Sequence, residues 1–200
     1  MSARVVVGAG PLVELAAAAW GAPVERREAT PGAGYAFDEA CLDGIASDAQ
    51  VFVAFDRRFL GHKRKELIGL ARARGLRLAT IVGPRAIVAA DVALGANVFV
   101  GDGAIVGAGA SIGDGAVVGP GAVLGQGVRV GAMTWIEAGA LVADRALIGA
   151  HVAIGLGVTI AGGVEVGASC VVDVPGVYRR AIPAKTFYHP AFAEPIRVLG

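Results

Sequence analysis

Residues 98–124 read VFVGDGAIVGAGASIGDGAVVGPGAVL, and the same beat runs well beyond them in both directions. Every sixth residue from Val88 to Val172 is Val, Ile or Leu: Val88, Leu94, Val100, Val106, Ile112, Val118, Leu124, Val130, Ile136, Val142, Ile148, Ile154, Ile160, Val166 and Val172. The residue after the aliphatic is Gly in ten of these fifteen hexads, and the residue two before it is small or β-branched, as at Ala104, Ala110, Thr134 and Cys170. A period of six suits neither a helix of 3.6 residues per turn nor a hairpin array. It suits a solenoid in which each hexad is one short strand and one turn.

Residues two apart on a strand share a face, so the aliphatic and its small partner both point inward. Gly after the aliphatic is expected to serve the turn's backbone angles. Three hexads close a triangular coil of 18 residues, and 88–172 makes close to five coils. This is a hexapeptide-repeat parallel β-helix. The residue before each aliphatic faces outward. One outer face reads Ile87, Ile105, Val123, Leu141, Thr159; a second reads Phe99, Val117, Trp135, Ala153, Val171; the third reads Ala93, Ser111, Arg129, Leu147, Glu165. Two apolar faces imply contacts. They fit a homotrimer, in which each prism touches two neighbours, or an N-terminal domain that covers one of them.

Composition changes near Pro84. Residues 1–86 carry 21 charges and ten glycines; residues 87–172 carry eight charges and 19 glycines. The first segment reads as a small Rossmann-like α/β domain. Strand Arg4–Val7, the turn Gly8-Ala9-Gly10 and helix Leu12–Trp20 are followed by strand Gln50–Phe55, basic helix His62–Arg74 and strand Leu76–Val82. The predicted division is 1–86, the prism 87–173 and a tail 174–200 that packs back with Phe187, Tyr188 and Phe192 as anchors. A glycine turn feeding a helix N-terminus is a phosphate-binding arrangement, or simply a strand-to-helix turn, since Val13 stands where a third glycine completes the fingerprint.

The net charge of +1 gives no electrostatic case for nucleic acid or a membrane surface. Mean hydropathy is +0.64, yet the longest uncharged stretch, 146–164, holds His151, Thr159 and five glycines and is no membrane span. Arg4 is followed by only three valines before Gly8, which is no secretory signal. Cys41 and Cys170 make no disulfide framework, so a cytoplasmic protein is expected.

The order Gly-Ala-Gly turn, Phe52-Val53-Ala54, basic helix, Ala79-Thr80-Ile81-Val82 before Pro84, prism and closing Pro183-Ala184-Lys185 resembles the bacterial sugar acyltransferases of the sialic-acid O-acetyltransferase type. That group includes the N-acetyltransferases of nucleotide-linked amino-sugars. The resemblance implies a left-handed coil and acetyl-CoA lying along the prism between subunits. It implies cofactor contacts from small residues of later coils such as Gly155 and Gly162, with Lys185, Arg179 and Arg180 near the phosphates. Gly8, Gly10 and Trp135 would lie on the acceptor side. In a gapless register from Pro84 the family's catalytic histidine falls on Gln126 and a second one on Trp135. The glycine-histidine-glycine continuation of the first turn is Pro11-Leu12-Val13, and the histidine before the boundary proline is Gly83. Sliding by whole hexads puts Asp144 or Pro120 at the base position.

An amide cannot accept a proton as a general base, so Gln126 is expected to orient a substrate. Asp144, one coil above it, is the nearest carboxylate, and with Arg145 it also reads as a surface ion pair. His151 shares an edge with Asn97, Met133 and Ser169 and reads equally as a turn residue or a catalytic one. One prism histidine cannot make the three-imidazole zinc site known on this fold, so no metal is expected. Two functions remain. One is acetyl-CoA-dependent acyl transfer, with N-acylation of an amino-sugar or related amine favoured because a neutral amine attacks without a base. The other is a silent homologue that binds a nucleotide or CoA, or serves as an assembly scaffold.

Overall fold

The computed structural model describes residues 2–21, 23–29 and 38–198. The N-terminal unit consists of β1 (Arg4–Gly8), α1 (Pro11–Trp20), β2 (Glu25–Glu28), β3 (Gln50–Ala54), α2 (His62–Ala73) and β4 (Arg77–Leu78). Its four parallel strands lie in the order β2-β1-β3-β4. Val5, Val6 and Val7 of β1 and Val51, Phe52 and Val53 of β3 are all buried, as expected for parallel strands covered on both faces. Val6 and Phe52 meet Leu12 and Ala16 of α1. Val5, Val7, Val51 and Val53 meet Leu67, Ile68 and Ala71 of α2.

The expected strand Leu76–Val82 is in fact two elements. β4 closes the small sheet, whereas β5 (Ile81–Val82) pairs in parallel with Phe99–Val100 and is the first rung of the prism. Thr80 makes the switch: its hydroxyl donates to the Gly95 carbonyl at 2.6 Å and accepts from the Val98 N–H at 3.2 Å. An apolar run without a turn residue hid this break.

From there the chain winds into a left-handed parallel β-helix. Below the last coil each strand pairs with the one 18 residues later, as Val117 does with Trp135 and Ser111 with Arg129. Inside, one continuous apolar core runs from Val98 to Ile182. Residues 87–172 contain strands and turns only. The glycines after the aliphatics do a different job from the one expected. A Cβ on Gly107 would lie 2.8 Å from the Gln126 nitrogen, so these glycines let the next coil approach. The left-handed angle falls two residues later, at Gly109 (φ +69°).

Of the two apolar faces, one belongs to the protein's own N-terminal domain. Phe99 and Val117 are buried there with Phe52, Leu12 and α1. The other stays open, with Ile87 65% and Ile105 41% exposed. The segment expected as a tail instead completes the prism: Gly176–Tyr178 pairs with Val158–Ile160, and Thr186–Tyr188 with Val171–Val172. Tyr178 and Tyr188 meet edge to face at 5.1 Å over the core's end. Phe192 is no anchor, being 49% exposed. Among the described residues no helix is long and apolar enough to cross a membrane.

Candidate active site

One corner of the prism gathers part of the predicted site. Gln126, Asp144, Gly162 and Arg180 follow one another at 18-residue steps, and backbone hydrogen bonds tie the first three coils: Arg145 N–H to Gln126 O at 2.8 Å, Gly163 N–H to Asp144 O at 2.9 Å. Asp144 Oδ1 accepts the Gln126 N–H at 2.8 Å. The same cap recurs where Asp114 accepts from Ala96 at 2.9 Å and Asp102 from Arg85 at 3.2 Å. One oxygen of Asp144 is therefore committed to holding two coils together, while the residue as a whole is exposed. No ion pair links it to Arg145, against the surface-pair expectation. Gly162 leaves the corner open above Asp144, since a Cβ there would come within 3.2 Å of the Asp144 carbonyl. Higher still, Val177, Tyr178, Arg179, Arg180, Ala181 and Tyr188 line a cleft of about 290 Å³. Such a corner offers an amide, a carboxylate, a bare step and two cations.

The other predicted cofactor residues lie elsewhere. Lys185 stacks above Ser169 on the corner that also carries His151, its N–H bonded to Ala168 O at 2.9 Å. Gly155 is on the third corner, against Asp173. The structure does not bring either to Arg180.

A second cleft, of about 360 Å³, opens at the end of β1 and is lined by Gly8, Ala9, Gly10, Val13, Glu14, Arg26, Arg27 and Glu28. Gly8 is obligatory: at φ +150° a Cβ would sit 1.6 Å from the Ala54 carbonyl oxygen. Gly10 caps α1 with no side-chain hydrogen bond. Pro11 brings no N–H, so the open donors of this helix end are fewer than usual. Arg26 pairs with Glu14 at 3.5 Å, and Arg27 pairs with Glu25 at 2.6 Å and donates to the Asp43 carbonyl. Glycine backbone and two guanidiniums suit a phosphorylated ligand.

Trp135, expected on the acceptor side, lies instead in the junction between domain and prism. The Arg64 guanidinium stands 5.5 Å from its ring centroid. Arg64 is 1% exposed, and Nε, Nη1 and Nη2 all lack hydrogen-bond partners. Burial pushes its pKa down to about 9. A desolvated cation–π contact returns about 2 kcal/mol, less than the several kcal/mol needed to bring a charge into the interior. Nearby, His151 Nδ1 bonds the Leu60 carbonyl at 2.8 Å. A carbonyl only accepts, so Nδ1 carries a proton. His62 stacks on that ring at 4.4 Å and 9°. Its pKa is lowered, chiefly by burial and then by His151 and Lys65. Arg57 reaches the prism as well, to Glu137 at 3.0 Å and Asp173 at 2.7 Å. Arg64 was invisible in the sequence because HKRKELIGLARA reads as a basic solvated face. Among the described residues no cluster of three or more His, Cys, Asp or Glu could hold a metal ion.

Residues 94–126 match the family described as bacterial transferase hexapeptide (six repeats). No curated protein matches the chain. Among solved structures it is similar to PerB from Caulobacter crescentus in complex with CoA and GDP-perosamine, at 27% identity over 92% of each chain with a TM-score of 0.79. It is similar to a mutant of perosamine N-acetyltransferase from the same organism, also with CoA and GDP-perosamine, at 26% identity over 96% of each chain with a TM-score of 0.67. The acetyltransferase domain of PglB from Neisseria gonorrhoeae shares the fold, at 23% identity over 98% of this chain and 100% of that one with a TM-score of 0.85. The chain carries the hexapeptide repeats of the bacterial transferases and shares its architecture, end to end, with sugar N-acetyltransferase structures.

Proposed function

We propose that the protein is an acetyl-CoA-dependent N-acyltransferase whose acceptor is a nucleotide-linked amino-sugar. The observation that carries this reading is the near full-length likeness, at 27% identity, to a structure holding CoA and GDP-perosamine. The two clefts divide the labour. Gly8, Gly10, Arg26 and Arg27 receive the nucleotide phosphates. Arg179 and Arg180 face the phosphates of CoA, and the step at Gly162 admits its pantetheine arm.

At the corner the neutral amine attacks the thioester carbonyl, forming a C–N bond. Turn N–H groups hold the oxyanion. As the C–S bond breaks, the amine proton passes by way of the free oxygen of Asp144, or solvent, to the departing thiolate. Gln126 orients the acceptor. The open face bearing Ile87, Ile105 and Leu141 supports assembly into a homotrimer, and the cytoplasm, where acetyl-CoA is available, is its proposed location. A second reading rests on the same corner: with Gln126 at the base position and Asp144 capping a turn, the chain is a silent relative that binds CoA or nucleotide or assembles as a scaffold.

Thermal-shift titration with acetyl-CoA, CoA and GDP- or UDP-linked amino-sugars tests both. A ligand that binds the native state raises Tm. A shift with acetyl-CoA, followed by free thiol on adding an aminated nucleotide sugar, supports the enzyme. A shift without thiol supports the silent relative, and no shift with any CoA species sinks the acyltransfer reading.

A further inference from the structure

We infer that the first turn of α2, together with Arg64, is a binding site for a small oxyanion, a phosphate or a carboxylate. The acyltransfer reading neither uses nor needs it, for the site lies at the junction on the face of Phe99, Val117 and Trp135 and not on the corner of Gln126 and Asp144.

Three observations meet there. The Arg64 guanidinium is enclosed, yet none of its nitrogens has a partner; a buried donor group without a partner calls for an acceptor that is absent from the protein itself. α2 begins at Gly61 with no side-chain cap and no acidic residue in its first turn, so the positive end of its dipole is uncompensated. Arg64 is the third residue of that helix, which follows directly on a 3-10 turn at Arg58–Gly61, and helical side chains lean toward the N-terminus, which carries its charge back toward that positive end.

The surroundings supply no counter-charge. Glu66 pairs with Lys63 and Glu137 with Arg57. Trp135 covers one face of the guanidinium; the donors lie on its edge, where all three nitrogens are enclosed and unpaired, so an oxyanion reaches them only as the Trp135 ring moves aside. A guanidinium edge fits two oxygens of one planar or tetrahedral oxyanion. Chloride, with a single centre, cannot give each donor its own acceptor atom. Trp135 is itself only half-buried, so the way in runs beside its ring.

Trp135 reports on the site. The chain has two tryptophans, and Trp20→Phe leaves this one alone. Sodium phosphate and sodium acetate are titrated into that protein against sodium chloride at equal ionic strength. The expected result is a saturable change in Trp135 fluorescence with at least one oxyanion and none with chloride. Arg64→Met should raise the midpoint at least tenfold or abolish the response, and should melt at or above the parent in oxyanion-free buffer, having lost an unpaired buried charge. Arg64→Lys, which keeps the charge without the fork, should raise the midpoint too and stands in if Arg64→Met does not fold. Absence of a saturable response in the parent, or an unchanged midpoint in the Arg64 variants, overturns the inference.

Discussion

The side-chain amide of Asn97 takes both backbone hydrogen bonds of Val53, accepting from its N–H at 2.7 Å and donating to its carbonyl at 2.9 Å. β4 pairs only with Gln50 and Val51, so the outer edge of β3 is unpaired at Val53, and the prism completes it. Asn97 is fully buried and has φ 57°, a conformation that asparagine tolerates better than most residues. Asn97→Leu leaves two buried backbone groups unsatisfied, at about 1–3 kcal/mol each. Tm should fall by roughly 5–15 °C, and proteolysis should release the N-terminal domain from a prism that survives. A variant with parental Tm would show that water replaces the amide.

His62 sets a direction with pH. Burial, His151 and Lys65 together hold its pKa below the ordinary 6.5, against a pull upward from Glu66. The unfolded chain then takes up the proton first, so this contribution is complete above about pH 6.5 and is lost as pH falls through the lower folded value. His62→Phe keeps a ring for the stack and removes the titration. Between pH 7 and pH 5 its Tm should drop less than that of the parent, by about 1 °C because the side chain is largely in water. Parallel curves would contradict the stacking account.

Gly8 and Gly10 separate space from backbone angle. An alanine at 8 meets the Ala54 carbonyl, whereas one at 10 has nothing nearer than Asp56 Cβ at 3.9 Å. Gly8→Ala should cost more than about 4 kcal/mol and fail to accumulate as soluble protein. Gly10→Ala meets no clash, but φ 87° with ψ −176° is a backbone region essentially confined to glycine, at about 1–3 kcal/mol. Urea titration of the two variants measures the difference.

At the proposed active site, asparagine in place of Asp144 still accepts the Gln126 N–H. Asp144→Asn should therefore keep its Tm and lose less than about tenfold in thiol release. Gln126→Ala should lose a similar amount, the worth of one neutral hydrogen bond. A loss above about a thousandfold in Asp144→Asn is general-base behaviour and would give the carboxylate the central role. Gln126, Asp144, Gly162 and Arg180 include no imidazole, so kcat/KM should rise with pH until the acceptor amine is neutral. An inflection near pH 6–7 from the enzyme would point to a histidine that this corner lacks.

The prism was legible because side-chain alternation and an 18-residue coil fix which positions face inward, and counting by 18 put Gln126 and Asp144 in one column. That counting fails at the top. Val166 bridges to Ile182, a step of 182 − 166 = 16 residues, so Lys185 stacks above Ser169 and not above Gly167 as a step of 18 predicts. Sequence pattern also separates inside from outside only within one element. It could not say that the outward Phe99 and Trp135 would be covered by α1 and α2, nor that Arg64, one cation among several on α2, would be sealed beneath Trp135.

Asn97 and His151 are two of the points at which the N-terminal domain grips the prism, 151 − 97 = 54 residues apart, which is three full turns of the solenoid, and Arg57 adds a further hold at Asp173. The domain thus works as a caliper closed on a ruler whose divisions are whole coils. Adding six residues between the two points would carry everything beyond them onto the neighbouring face, and adding 18 would part the jaws by one strand spacing, about 4.8 Å. Length changes inside this stretch are therefore quantised and punished, while coils added above Asp173 leave the grip intact. Any lineage that lengthens this prism is free to do so only at its far end.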